Sequence, residues 1–214
     1  MATDIPHLIN GLTVWGWIIV LYLLAAFLTL LPTLTAVFGK VKLKPGGPSF
    51  EKAQFKPATK KRLSDHYERM QGTLAFWKRE AARYGRFHYY SLWWTIISSS
   101  LMPFLTQAVD PKDPASKWLL TVISAHIVLA LGFHRGLKVP ELFRAFRLGE
   151  SGFYDTYRRL LDQPETFGPD ETTQVKRYFD DVEILRKLVR NAETDNQPTV
   201  EDIRNQFSKP REGV

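Results

Sequence analysis

The stretch LTVWGWIIVLYLLAAFLTLLPTLTAVF, residues 12–38, carries no charge, and it lies inside a longer run, residues 5–39, without Asp, Glu, Lys or Arg. A helix rises about 1.5 Å per residue, so about 20 apolar residues cross about 30 Å of hydrocarbon. This run is longer than that. Two more uncharged stretches follow. FHYYSLWWTIISSSLMPFLTQAV fills 87–109 between Arg86 and Asp110, and WLLTVISAHIVLALGFH fills 118–134 between Lys117 and Arg135. The last is short enough to be a buried core helix, but only DPKDPASK separates it from the stretch before. Tyr89, Tyr90, Trp93 and Trp94 mark one boundary and Trp118 another, as interfacial anchors do. The sequence therefore predicts an all-α membrane protein with three transmembrane helices. A secretory signal peptide would need a basic start and an apolar core of about 7–15 residues. Asp4 is the one charge before the first run, so a retained anchor is the better reading of residues 1–39.

Averages conceal this arrangement. The 214 residues carry 29 Lys+Arg against 22 Asp+Glu and no cysteine, which excludes disulfide scaffolds and thiolate metal sites. The net charge of +7 is unevenly placed: residues 39–87 hold 13 Lys/Arg and 4 Asp/Glu, whereas residues 135–214 hold 14 and 15. The loop 109–117 is neutral. Basic residues concentrate on the cytoplasmic side of membrane proteins. The expected topology thus puts the N-terminus and the 109–117 loop outside, and 39–87 and the C-terminus in the cytoplasm. The basic excess is then a signal for orientation and for the lipid bilayer as partner, and no nucleic-acid partner is expected.

Outside the uncharged runs the pattern is helical. KVKLKPGGPSFEKAQFKPATKK, with its Pro-Gly-Gly-Pro, makes 40–59 an irregular basic linker. Leu63, Tyr67, Met70, Leu74, Trp77, Ala81, Tyr84 and His88 then recur at alternating spacings of four and three, a heptad seam. It runs without a breaker into the second uncharged stretch, although Gly72 and Gly85 weaken a helix. Leu142, Phe146, Gly149, Phe153, Tyr157 and Leu160 form a second seam, which Pro140 either kinks or begins. Val175, Tyr178, Val182, Leu185, Val189 and Ala192 form a third, with Asp170 as its candidate cap. Residues 196–214 read as a polar tail in which VEDIRNQF suggests a short helix. Stripes of this kind must be buried, either in a cytoplasmic helical bundle within one chain or between subunits of a homo-oligomer.

DHYERMQGTLAFWKREAARYGRFHYY leads into a hairpin of two close spans, 87–135. ELFRAFRLGESGFYDTYRRLLDQ and then QVKRYFDDVEILRKLV follow it. This layout, with pieces such as YGRFHYY and FYDTYRRLL, resembles the SLATT group of bacterial two-span membrane proteins, associated with SMODS and SLOG proteins. The resemblance covers roughly residues 60–195, and the first span departs from the two-span plan. It implies a homo-oligomeric protein of the bacterial cytoplasmic membrane that forms pores or ion channels, in some genomes as a defence effector.

Candidate functional residues come from polar side chains in apolar runs. Ser91, Thr95, Ser98, Ser99 and Thr106 share one face of a helix, with Met102 among them. Small hydroxyl residues either pack helices closely or line a water-filled path. His126 is a candidate intramembrane polar site, with a proton or ligand role or a purely structural bond to a hydroxyl such as Thr121 or Ser98. His134 and Arg135 read as boundary anchors, and Pro32 and Pro103 as bends. Asp180, Asp181 and Glu183 read as a solvated acidic face. PGGP lacks the spacing of a phosphate loop, and neither HExxH nor GxSxG occurs. The expectation is therefore no catalytic residue, no metal, no cofactor and no enzymatic activity. The function expected is a homo-oligomeric pore or ion channel. The alternative is an accessory subunit that docks on other membrane subunits through its first span.

Overall fold

The computed structural model describes residues 13–38, 50, 53–110 and 112–194. Most of the basic linker 40–59 and all of the tail 196–214, with the short helix read there, lie outside the described residues. The described chain is all-helical: α1 (Val14–Phe38), α2 (Pro57–Ala108), α3 (Pro114–Gly136), α4 (Val139–Asp162), a 3-10 turn (Pro164–Phe167) and α5 (Glu171–Glu193). It divides into two compact units, residues 1–39 with 85–139 and residues 40–84 with 140–214. The 52-residue α2 belongs to both.

In the second unit the three heptad seams meet. Leu63, Met70, Leu74, Trp77 and Ala81 of α2 are buried with Phe146, Phe153, Tyr157 and Leu160 of α4 and Val175, Tyr178, Val182, Leu185 and Val189 of α5. Tyr67, Tyr84, Leu142 and Ala192 pack against the edges of this core. Gly149 lets the helices close up, since a Cβ there would stand 2.6 Å from Val189 Cγ2 and 3.1 Å from Trp77 Cε3. Pro140 falls in the first turn of α4, where its missing N–H costs nothing, so it begins a helix instead of bending one. Asp170 caps α5 as expected, its carboxylate accepting from the Thr172 and Thr173 backbone amides at 3.0 Å. These bonds hold its carboxyl below the usual carboxylate range, the Thr173 hydroxyl contributing most.

Three features of this core depart from the sequence reading. Phe50 and Phe55, in the linker, and Phe167, in the turn, belong to the core. Phe50 meets Tyr157 edge-on at 5.2 Å. Asp181 is buried and accepts from Arg159 Nη2 at 3.1 Å, so that member of the acidic trio is not on a solvated face. Heptad spacing says nothing of such closing contacts, because they depend on how the connections fold back.

In the first unit most of the buried residues are small, with Leu119, Ile123 and Val139 buried among them. Gly16, Ala26, Thr33, Ala36, Ser91, Ser98, Ser116 and Ala130 are among its buried residues. Large apolar side chains point outward: Leu21, Leu24, Phe27 and Leu28 on α1, Trp93, Ile96, Leu101 and Phe104 on α2, Val128, Leu129 and Phe133 on α3. Small contacts with an apolar exterior are what helices show when the surrounding solvent is itself apolar. Among the described residues two helices are long and apolar enough to cross a membrane, Val14–Ala36 and Pro114–Gly136. The second starts earlier than the sequence suggested, because Asp113 caps it, accepting from the Ala115 amide at 2.9 Å, with Pro114 as first residue. The 87–109 stretch is not a separate helix but the end of α2, and its Ser, Thr, Trp and His residues dilute its apolar character.

Candidate functional site

Polar groups inside the first unit converge on His126 of α3. Its Nδ1 lies 2.7 Å from Tyr22 Oη of α1, and its Nε2 lies 2.9 Å from Tyr90 Oη of α2. Tyr22 Oη lies in turn 3.3 Å from Ser98 Oγ. One imidazole and three hydroxyls thus form a chain, Tyr90–His126–Tyr22–Ser98, that takes a residue from every helix of the unit. Trp94 closes one side, its ring edge-on to Tyr22 at 5.1 Å and to His126 at 5.4 Å. Its indole N–H donates to Thr29 Oγ1 at 2.8 Å.

Helix periodicity puts α2's contributors together, since Tyr90, Trp94 and Ser98 are spaced by four and share a face. Tyr22 stands alone among aliphatic residues in the middle of α1. An unmet hydroxyl among apolar side chains is costly, and that of Tyr22 reaches the imidazole of His126. A neutral imidazole offers one donor and one acceptor, and a phenol can serve as either. Two arrangements therefore satisfy the chain. In one, Tyr90 donates to Nε2, Nδ1–H donates to Tyr22 and Tyr22 donates to Ser98. In the other every donor and acceptor is reversed.

The sequence-predicted residues separate. Ser98 belongs to the chain. Ser91 is 1% exposed, and neither its Oγ nor Thr95 Oγ1 has a hydrogen-bond partner. Ser99 and Thr106 are exposed, and Thr106 Oγ1 donates to the Met102 carbonyl at 2.8 Å. The face read as one stripe is thus split lengthwise, half inside the chain and half outside. Thr121, one of the two hydroxyls considered for His126, donates instead to its own helix at Lys117 O. Tyr22 and Tyr90, the actual partners, were not singled out. Tyr90 had been grouped with Tyr89 as an interfacial anchor, yet Tyr89 is exposed and Tyr90 turns inward.

Toward the start of this part of α2 two more contacts tie the helices. Arg86 Nη1 donates to the Pro32 carbonyl at 2.7 Å, so the carbonyl of the proline inside α1 has a cationic partner. His88 Nδ1 lies 2.9 Å from His134 Nε2, with the rings stacked. His134 is thus a helix-pairing residue as well as a residue of the last turn of α3. No family model, curated protein or solved structure matches the chain.

Proposed function

We propose that this is an integral membrane protein that assembles into a homo-oligomeric pore or ion channel. Helix α1, residues 87–109 and helix α3 are its three spans, with the N-terminus outside and the second unit a cytoplasmic bundle. In this reading residues 1–39 are an added anchor before a SLATT-like domain of 60–195, as the sequence resemblance implies. The outward-facing apolar side chains of all three helices support the membrane assignment, since water would drive Leu, Ile and Phe inward. The observation that carries the pore is the divided hydroxyl face of α2. Ser91 and Ser98 are buried within the chain, while Ser99 and Thr106 are exposed. Hydroxyls on a span are matched either by another helix or by water, and a ring of copies supplies both.

The test is conductance of purified full-length protein in a planar bilayer, with its copy number counted in nanodiscs. A symmetric oligomer that conducts, and loses at least tenfold of its current on Ser99→Leu with Thr106→Leu, is the expected result. Single copies bound to unrelated subunits would replace the pore by the accessory role.

A further inference from the structure

The hydroxyl–imidazole chain inside the first unit does more than join helices. It is continuous from Tyr90 through both nitrogens of His126 to Tyr22 and Ser98, with steps of 2.9, 2.7 and 3.3 Å. Tyr90 is three residues inside the second uncharged stretch and Ser98 eight residues further, about 12 Å along a helix axis. The chain therefore runs from near one end of that span to its middle. The facing groups are Tyr22 from α1 and Tyr90, Trp94 and Ser98 from α2, and the three runs that supply the unit contain no Asp, Glu, Lys or Arg. Arg86, one turn before Tyr90, is engaged with the Pro32 carbonyl. Joining α3 to α1 and α2 engages both nitrogens of His126. Because their partners are hydroxyls that can each reverse, the same bonding is the arrangement that passes a proton.

The geometry points to Tyr90–His126–Tyr22–Ser98 as a proton relay, so that the ion moved by this protein is the proton. The inference rests on the pore reading for its outer half, the exposed hydroxyl edge at Ser99 and Thr106. Only O–H and N–H bonds change. Tyr90 gives its proton to Nε2 and is refilled by water from its end of the helix. Nδ1 releases its proton to Tyr22, whose own proton moves to Ser98. Ser98, itself 2% exposed, releases its original proton toward the hydroxyl edge at Ser99, which the pore reading opens to water. One proton enters, one leaves, and the imidazole ends as the other tautomer. Hydroxyl rotation and a flip of the ring restore the starting arrangement. A protonated His126 in passage has both N–H groups bonded to phenol oxygens already in place, so the charge is met by preset dipoles without helix movement.

Full-length protein in liposomes containing a pH-sensitive dye tests this, with a pH gradient imposed and valinomycin and potassium clamping the potential. Wild type is expected to collapse the gradient faster than protein-free vesicles. Tyr22→Phe keeps the ring against Trp94 and removes the linking hydroxyl, and should slow the flux at least tenfold, as should His126→Phe. Thr121→Val, outside the chain, should leave it unchanged. Matching oligomer size and thermal melting show that Tyr22→Phe is folded, and that variant decides the matter if His126→Phe is not. No flux from wild type, or wild-type flux from a folded Tyr22→Phe, overturns the relay. Sodium or chloride conductance without proton flux would leave the pore standing and remove the relay. Proton flux from single copies that conduct no larger ion would remove the pore and the exit at Ser99 and Thr106, and keep only the Tyr90–Ser98 half of the relay.

Discussion

His66 shows how a single position couples the bundle to pH. Its ring lies 4.6 Å from that of Phe179 and 5.7 Å from that of Tyr178, and its Nδ1 is buried without a partner. Burial, with Arg69 and Arg186 adding repulsion, pushes its pKa down to about 4. The unfolded chain, near the ordinary value of 6.5, binds the proton first. Stability from this residue is therefore complete above about pH 6.5 and declines as pH falls toward 4. With half the ring still near solvent, screening reduces the effect to about 1–2 kcal/mol. Denaturant melts at pH 7 and pH 4.5 should separate by that amount in wild type. His66→Phe, which fills the same aromatic slot without a charge, should narrow the gap, and an unchanged gap would clear His66 of the effect. A second position is limited by space. Gly149→Ala puts a methyl group 2.6 Å from Val189 Cγ2 with the Trp77 ring behind it. The expected loss is about 1–3 kcal/mol of bundle stability, read by thermal melting. Of these two, Gly149 was legible in the sequence, as the small residue in an apolar seam. The depressed histidine was not, because its aromatic walls come from α5, more than a hundred residues away.

Helices were read well wherever one face repeats. The seam residues of α2 from Leu63 to Tyr84 and those of α4 and α5 from Leu142 to Ala192 lie in or against the bundle core, whereas His88, the last residue of the α2 seam, belongs to the first unit and pairs with His134. Burial of a stripe is enforced by the water on its other side, so spacing alone identifies it. The apolar runs gave less. If these runs lie in the bilayer, no water punishes exposed leucines, so hydropathy gives length but not rotation, and the partners of His126 depend on rotation. Ser91 and Ser98 face inward while Ser99 faces out, a distinction of one residue that no count of hydroxyls makes. The continuity of α2 into the second uncharged stretch was readable from the absence of a breaker between 60 and 87, despite Gly72 and Gly85, and the helix continues through Pro103 to Ala108. Gly72 is exposed, and a Cβ there would meet nothing within 4 Å. Its cost is purely conformational, so Gly72→Ala should stabilise the bundle by about 1 kcal/mol in denaturant melts. A loss of stability on that substitution would mean that the exposed face of α2 at Gly72 is covered in the assembled protein, as a homo-oligomer joined through this unit requires.

At the scale of the whole molecule the decisive quantity is which segments share a side of the bilayer. In the proposed topology the basic residues of 39–87 and those after 134 put both in the cytoplasm, and the neutral 109–117 loop outside. This holds only if 87–109 crosses, and that segment is the most polar of the three. Its fate therefore tests the topology most sharply. The chain has no cysteine, so single introduced thiols report without background. Gln71→Cys on α2, Lys112→Cys in the loop and Ser151→Cys on α4 are all at exposed positions. In intact cells a membrane-impermeant maleimide should label only Lys112→Cys, and the other two should react after permeabilisation. If 87–109 instead lies along the surface, Gln71→Cys and Lys112→Cys will react from the same side and Ser151→Cys from the other. The hydroxyl face of α2 would then lie at the membrane surface, and neither the pore nor the relay through Tyr90 and Ser98 would survive. Labelling of Lys112→Cys alone gives His126 its depth, because α3 must then return through the bilayer. An imidazole bonded at both nitrogens between two tyrosines would thereby sit where no bulk water supplies its partners.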